Sequence, residues 1–222
     1  MRLKIGRLWL IVAAAAGAAT IAAQLQGAST LPFLTKPLAT ISIIAWAASR
    51  AGDSDHRRRF ILAGLVLSLA GDIALLWPRE GFVPGLVAFL LAHLAYIVAF
   101  TVRVGFAARW LPFAVYGTIA AFVLWALWPH IGASLRGPVL AYVICLASMS
   151  AQAAVWSIQA RGTPLRGAAR SAAIGGALFM ASDALLAVDR FALPLPAAPL
   201  WILTTYWVAQ ACIAGALVRR RA

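Results

Sequence analysis

Apolar segments, each long enough to cross a membrane as a helix, follow one another along almost the whole chain. About 20 consecutive apolar residues span the hydrocarbon core of a bilayer. By this measure the sequence contains eight segments, at roughly 8–26, 30–49, 59–77, 81–101, 110–128, 137–157, 168–190 and 198–218. Because the connections are short, consecutive helices are expected to be antiparallel neighbours. The sequence predicts an all-α integral membrane protein, a single eight-helix transmembrane bundle over residues 1–222.

The composition excludes both a soluble domain and a nucleic-acid-binding protein. Of the 222 residues, 64% are hydrophobic and 11% are charged, and the mean hydropathy is +0.90. The net charge of +13 comes from short arginine clusters between apolar segments, not from a basic domain. We therefore expect no nucleic-acid partner. Cys145 and Cys212 both lie within apolar segments, which favours small core residues over a disulfide framework.

The N-terminal segment combines features of a signal peptide with those of a first membrane helix. A basic start, an apolar stretch and small residues follow one another over residues 1–24, as in a signal peptide. Cleavage would leave an odd number of helices and would move the new N-terminus across the membrane. We therefore expect this segment to be retained as the first helix.

The basic residues predict how the helices are oriented. Cytoplasmic loops carry an excess of lysine and arginine. The three basic residues at the other side of the predicted membrane are Arg79, Arg136 and Arg190. The first side receives all the larger clusters: Arg2, Lys4, Arg7, Arg50, Arg57–Arg59, Arg103, Arg109, Arg161, Arg166, Arg170 and Arg219–Arg221. Both termini are therefore predicted to be cytoplasmic, and the short loops and the Ala- and Arg-rich composition favour a bacterial inner membrane.

Four ionisable residues lie inside predicted helices, where a charge is costly and usually functional. Lys36, Asp72 and Asp183 lie about 7–10 Å from the outer ends of their helices, at 1.5 Å per residue. His93 lies nearer the midplane. Three of the four therefore share one depth, in the outer half of the bundle.

Polar and small neighbours predict that these residues face a common interior. Gly64, Ser68 and Asp72 are four residues apart and share one helix face, on which small residues allow a close helix approach. On helix 4, Tyr96 lies three residues after His93, and on helix 8, Tyr206 and Gln210 are four residues apart. On helix 7, Ser182 and Asp183 follow the small residues Gly175 and Gly176.

Most of these residues also have a purely structural interpretation. Lys36 can extend its stem to the interface or form a structural ion pair with a buried Asp. His93 can hydrogen-bond across helices, and tyrosines serve as packing or interface residues. Asp72 and Asp183 are harder to explain in this way, because Asp is too short to reach the interface.

An internal similarity links the two buried acids. The segments LSLAGDIALL and LFMASDALLA align with Asp72 opposite Asp183. Four helices separate the two, so both run through the membrane in the same direction. The pattern allows a parallel duplication of four helices, although Lys36 and His93 have no counterpart in the second half.

Four motifs resemble those of a known family. TKPLAT, SLAGDIALLW, GLVAFLLAHLAYIVAF and ALFMASDALLA are similar, in order and spacing, to motifs of the YhhN family, which includes the TMEM86 lysoplasmalogenases. The resemblance covers helices 2, 3, 4 and 7. It implies a multi-pass enzyme that hydrolyses the vinyl ether bond of lysoplasmalogens to a fatty aldehyde and glycerophosphocholine or -ethanolamine. The positions that match the motifs are Lys36, Asp72, His93, Tyr96 and Asp183.

The implied chemistry suits a pair of carboxyl groups. Vinyl ether hydrolysis requires a proton on the alkene carbon and then a water molecule on the oxocarbenium-like carbon, a division of labour resembling that in glycoside hydrolysis. One carboxyl group must be protonated, and apolar surroundings favour that form. The other stays ionised beside Lys36 and activates water. Asp72 and Asp183 are the predicted catalytic pair, with the acid unassigned, and Lys36 or His93 orients the phosphate or the water.

Two alternatives differ from this interpretation in mechanism or in class. A zinc hydrolase needs about three His or Asp ligands and an open position, but His93 is the single histidine within a predicted helix. We therefore expect no metal and no cofactor. A proton-coupled transporter or flippase also buries Asp, His and Lys, but its site lies near the midplane, with access to both sides. The cluster in the outer half favours an enzyme whose partners are a lysophospholipid substrate and membrane lipids.

Overall fold

The fold is a bundle of eight α-helices. The computed structural model describes residues 2–28, 30–50, 54–77 and 79–218, with side chains from residue 6 onward. The predicted number and type of elements are confirmed. The helices are α1 (Arg2–Leu25), α2 (Pro32–Ala48), α3 (Asp55–Ala74), α4 (Phe82–Thr101), α5 (Trp110–Leu127), α6 (Ala133–Gln159), α7 (Arg166–Phe191) and α8 (Ala198–Gly215).

Several helix ends differ from the predicted positions, because polar residues also occupy helical turns. Ser54 caps α3 by accepting the backbone N–H of Arg57 at 3.2 Å, as serine at this position commonly does. The first turns of α3 therefore contain the basic cluster that sequence analysis assigned to a loop. The same helix ends at Ala74, three residues before the predicted end. Asp72 thus lies two residues from the end of its helix.

Five helices in the described ranges are long and apolar enough to cross a membrane. They are Gly6–Leu25, Phe82–Thr101, Trp110–His130, Ala133–Gln159 and Arg166–Phe191. The apolar helix α2 is shorter, with 17 residues. Helices α3 and α8 are not among these five, and α3 is polar because its first turns consist of Asp55 and the basic residues 56–59.

The packing of the helices follows a similar order in the two halves of the chain. Helix α3 packs along α4, and α7 packs along α8 in the same way. Helix α2 contacts α8 across the bundle, while α6 contacts α4. This order agrees with the alignment of Asp72 and Asp183, although the duplication itself stays a prediction.

Two glycines on α3 allow the closest helix approach around the site. A Cβ atom on Gly64 would lie 2.3 Å from the ring of Tyr96, and one on Gly71 would lie 2.5 Å from the ring of Phe89. Both distances are far shorter than van der Waals contact. The close approach predicted at Gly64 is therefore confirmed, and Gly71, which was not predicted, provides a second one, so that two aromatic rings of α4 pack against the helix that carries Asp72.

Arg57 is buried inside the bundle, although the sequence predicts a loop at this position. Its side chain has no exposed surface, and its guanidinium group lies 4.1 Å from the ring centroid of Trp156. Nε donates to the carbonyl of Ala99 at 3.0 Å, and Nη2 donates to that of Val102 at 2.6 Å. The positive charge thus meets the last carbonyl groups of α4, where a helix favours cations.

The neighbouring arginines bind the ends of two further helices. Arg50 donates to the carbonyl of Leu217, just after α8, at 2.7 Å. Arg58 donates to the carbonyl of Ala48, at the end of α2, at 3.0 Å. These basic residues therefore join the helix ends at one side of the bundle. The sequence predicts a second role for them, which is to set the orientation of the helices in the membrane. The predicted cluster Arg219–Arg221 lies outside the described residues.

We expect Arg57→Met to destabilise the fold. The substitution removes charged hydrogen bonds to buried carbonyl groups and should lower the free energy of unfolding by about 3 kcal/mol. Arg59→Met is the matched control, because Arg59 is exposed on the same helix. Denaturant unfolding in detergent micelles measures both. Equal stability of the two variants would contradict the structural role of Arg57.

Candidate functional site

Asp72 is the centre of a buried polar cluster formed by α2, α3 and α8. Its Oδ2 accepts hydrogen bonds from the hydroxyl groups of Thr40 at 2.6 Å and Tyr206 at 2.7 Å. Its Oδ1 lies 3.6 Å from Nζ of Lys36. All four residues are buried. The ammonium group and the two hydroxyl donors together stabilise a carboxylate at this position.

A chain of hydrogen bonds among residues outside the cavity lining fixes the orientation of Tyr206. The hydroxyl of Tyr206 accepts a bond from Nε2 of Gln210 at 3.1 Å, and Oε1 of Gln210 accepts one from Tyr96 at 2.9 Å. The hydroxyl of Ser68 lies 3.5 Å from that of Tyr96. With the amide oriented in this way, Tyr206 is left to donate its own proton to Asp72.

Asp183 lies on α7 in different surroundings. Its Oδ2 accepts a hydrogen bond from the hydroxyl of Tyr142 on α6. No lysine or arginine forms an ion pair with Asp183 in the part of the chain that the structure describes. The two predicted acids therefore differ in kind, because Asp72 has a counter-charge and two donors while Asp183 has a single neutral donor.

Both carboxyl groups line one cavity of about 1070 Å³. Asp72, Lys36 and Tyr206 form one part of its wall, and Tyr142 and Asp183 form another. Most of the remaining lining is apolar and comes from α4, α5, α6, α7 and α8. A volume of this size accommodates a drug-sized or larger ligand. The structure thus brings together the three residues predicted to share one depth.

His93 is buried next to this cavity but does not line it. The ring centroids of Phe179 and Tyr142 lie 4.7 Å and 5.3 Å from that of His93. Neither ring nitrogen has a hydrogen-bond partner among the described residues. His93 therefore cannot contact a molecule in the cavity directly. If it orients the substrate, as predicted, it must do so through Tyr142, whose ring it contacts and which lines the cavity.

The other predicted residues divide between the cavity wall and the support behind it. Ser182 lines the cavity, but its hydroxyl donates to the carbonyl of Ile202 at 3.0 Å and so joins α7 to α8. Tyr96, Ser68 and Gln210 do not line the cavity, and they act on it through Tyr206.

Two polar residues of the site, Thr40 and Tyr142, are not among the residues predicted from the sequence. Thr40 is four residues after Lys36 in the motif TKPLAT, so helical spacing was a usable signal for it. Its hydroxyl also accepts a bond from Nε1 of Trp207 at 3.2 Å. Tyr142 is an isolated aromatic residue in an apolar segment, and nothing in its local sequence shows that it faces Asp183.

A further cation lies at the wall of the cavity. Arg190, near the end of α7, lines it, and its guanidinium group lies 4.2 Å from the ring centroid of Phe82. Arg190 forms no ion pair with a carboxylate among the described side chains. In the same part of the chain, no three His, Cys, Asp or Glu side chains form a group that can hold a metal ion.

We expect Lys36→Met to destabilise the protein by about 3 kcal/mol, because it leaves a buried carboxylate without its counter-charge. The double variant Lys36→Met/Asp72→Asn removes both charges and should recover most of the loss. Denaturant unfolding in micelles measures both variants. A double variant as unstable as Lys36→Met would show that the two charges are not coupled.

Comparison with known proteins identifies relatives that cover most of the chain. The model of the YhhN family matches residues 31–217. Human lysoplasmalogenase TMEM86B is 35% identical over 190 residues, which are 82% of this chain and 73% of that relative. The lysoplasmalogenase of Mycobacterium tuberculosis is 32% identical over 173 residues, 73% of this chain and 62% of that relative. No solved structure matches the chain.

These matches agree with the helices described above. The five long apolar helices and the similarity to lysoplasmalogenases over most of the chain make this an integral, multi-pass membrane protein. The family expected from the motifs around Lys36, Asp72, His93 and Asp183 is confirmed, since the matched range contains all of them. The chain belongs to the YhhN family.

Proposed function

We propose that the protein is a lysoplasmalogenase, which hydrolyses the vinyl ether bond of lysoplasmalogens to a fatty aldehyde and a glycerophospho-choline or -ethanolamine. The observation that carries the proposal is that two carboxyl groups in unlike surroundings, Asp72 and Asp183, line one largely apolar cavity. The names of the relatives support the same reaction.

The membrane arrangement that goes with this activity has all eight helices across the membrane and both termini in the cytoplasm. It is supported by the arginines that collect at one side of the bundle, including Arg50, Arg57 and Arg58. The carboxyl groups then lie in the outer half, near the depth of the vinyl ether bond, just below a lipid head group. Short loops and the Ala- and Arg-rich composition favour a bacterial inner membrane.

Asp72 is proposed as the ionised member of the pair. An ammonium group 3.6 Å away and hydroxyl donors at 2.6 Å and 2.7 Å favour the charged form of its carboxyl group. A carboxylate held in this way can stabilise a developing positive charge and take a proton from water. Lys36 acts through Asp72, since its ammonium group is engaged with that carboxylate.

Asp183 is proposed as the acid. Its carboxyl group has no cationic partner among the described residues, and apolar surroundings favour a neutral carboxyl group. Tyr142 donates to Oδ2, which orients the group and leaves Oδ1 available to carry a proton. Acid and base catalysis by two carboxyl groups requires that one is protonated while the other is ionised, and the surroundings of Asp183 and Asp72 favour these two forms.

The reaction follows from these two roles. Asp183 donates its proton to the second carbon of the alkenyl chain, and the electron pair of the double bond forms the new C–H bond. The first carbon becomes an oxocarbenium centre that the Asp72 carboxylate stabilises. Asp72 takes a proton from water as the water oxygen bonds to this carbon. The hemiacetal hydroxyl then returns a proton to Asp183, while Asp72 protonates the leaving glycerol oxygen.

Arg190 is proposed to bind the phosphate of the head group. Guanidinium groups recognise phosphate through paired hydrogen bonds. Arg190 lines the same cavity as the two acids, lies near the end of α7 and is exposed, so it can contact a head group at the membrane surface. Neither Lys36 nor His93 is available for this role, because Lys36 is engaged with Asp72 and His93 does not line the cavity.

We expect Asp72→Asn and Asp183→Asn each to lower kcat for lysoplasmalogen hydrolysis by at least about 100-fold, because each removes a proton-transfer group. Aldehyde release by purified protein in micelles measures the effect. Glu80→Gln, at an exposed carboxyl group near the same side, should retain full activity. Near-normal activity of either Asn variant would refute the pair mechanism. Wild-type protein that releases no aldehyde but drives substrate-dependent proton flux in liposomes would favour a transporter.

We expect Arg190→Ala to raise KM for lysoplasmalogen about tenfold with little change in kcat, because it removes a charged contact that does not change during the reaction. Steady-state kinetics of aldehyde release separate the two constants. Arg79→Ala, at an exposed arginine outside the cavity lining, is the control. An unchanged KM for Arg190→Ala would place the phosphate elsewhere.

A further inference from the structure

One face of α5 forms a long apolar wall of the cavity. The lining residues follow helical spacing along almost the whole helix: Val115, Tyr116, Ile119, Ala120, Val123, Leu124 and Leu127. From the first to the last of these, the helix rises by about 18 Å. One leaflet contributes half of the roughly 30 Å of hydrocarbon in a bilayer. The wall is thus as long as the hydrocarbon chain of one membrane lipid.

The acids lie partway along this wall, and Tyr116 lies beyond them. Leu127 packs in one cluster with Phe191 at the end of α7, whereas Asp183 lies eight residues before that end, about 12 Å away. Tyr116 lies eleven residues before Leu127, about 16 Å along α5. A lipid with its ether bond beside the acids would therefore extend its hydrocarbon chain along α5 towards Tyr116.

Tyr116 separates this cavity from a second one. The second cavity, of about 810 Å³, is formed by the start of α5, the preceding loop and the end of α6. Val115 and Tyr116 line both cavities, so they lie between them. The half-buried phenol ring of Tyr116 is the larger of the two side chains and supplies most of the partition.

We propose that Tyr116 forms the floor of the substrate cavity and sets the longest hydrocarbon chain that the site accepts. The inference rests on the proposed hydrolysis of lysoplasmalogens. Each methylene group that enters the cavity gains about 0.8 kcal/mol of transfer free energy, a factor of about four in affinity. A chain that reaches the phenol ring loses this gain, because a longer chain must displace the ring or leave its head group out of place.

The test compares kcat/KM over a series of lysoplasmalogens with progressively longer alkenyl chains. Tyr116→Ala joins the two cavities and should move the optimum to longer chains, with about a fourfold gain for each methylene group beyond the wild-type limit. Tyr116→Trp raises the floor and should move the optimum to shorter chains.

Two variants serve as controls. Tyr116→Phe keeps the ring and should keep the wild-type profile. Phe122→Ala removes an aromatic ring from the outward face of the same helix, where 65% of the side chain is exposed, and should also leave the profile unchanged. An active Tyr116→Ala variant with the wild-type optimum would overturn the inference and leave the proposed hydrolysis intact.

A binding measurement tests the floor without turnover. Saturated alkyl-ether lysophospholipids of the same chain lengths lack the vinyl ether bond, and their binding raises the melting temperature of the protein. The optimum of this shift should move with Tyr116→Ala and Tyr116→Trp as it does for kcat/KM. If wild-type protein hydrolyses no lysoplasmalogen but the binding optimum still moves, the proposed reaction fails and the floor stands. A binding optimum unaffected by both substitutions overturns the floor.

Discussion

The buried charge of Asp72 is the constraint on which the rest of the site depends. A carboxylate in a low-dielectric interior is costly unless it is paired and hydrogen-bonded. Here Lys36 supplies the counter-charge, while Thr40 and Tyr206 supply donors. These partners come from α2 and α8, so the same contacts that stabilise the charge also hold three helices together. The bonds that continue from Tyr206 through Gln210 to Tyr96 extend this fixed region to α4.

Asp183 shows how a second acid in the same cavity acquires different properties. Among the described residues, one hydrogen-bond donor, Tyr142, contacts it, and no cation pairs with it. The difference between the acids arises from the helices around them and not from the acids themselves, because the segments that contain Asp72 and Asp183 are similar in sequence. If the two segments descend from a duplication, the partners of Asp72 on α2 and α8 account for the difference between the two carboxyl groups.

The sequence predicts features that depend on local pattern, and it misses those that depend on which helices meet. Apolar length predicts the eight helices, and distance from the helix ends predicts that Lys36, Asp72 and Asp183 share one depth. Helical spacing likewise predicts the tight face of α3. By contrast, Arg57 lies in a basic cluster typical of a loop, and its burial follows from the position of the last turn of α4. Tyr142 is similarly explained only once α6 is known to face α7.

The packing of the bundle matches the two unlike parts of a lysolipid. Near Asp72, glycines let α3 and α4 approach closely, and hydrogen bonds fix the side chains, so the groups proposed to react are held in place. Along α5 the contacts are sparse, and three of its residues, Pro112, Ala120 and Leu127, are buried. A hydrocarbon chain needs no directional contacts, because its binding depends on the apolar area that it buries. Loose packing along α5 can therefore accommodate the chain without disturbing the geometry at the acids.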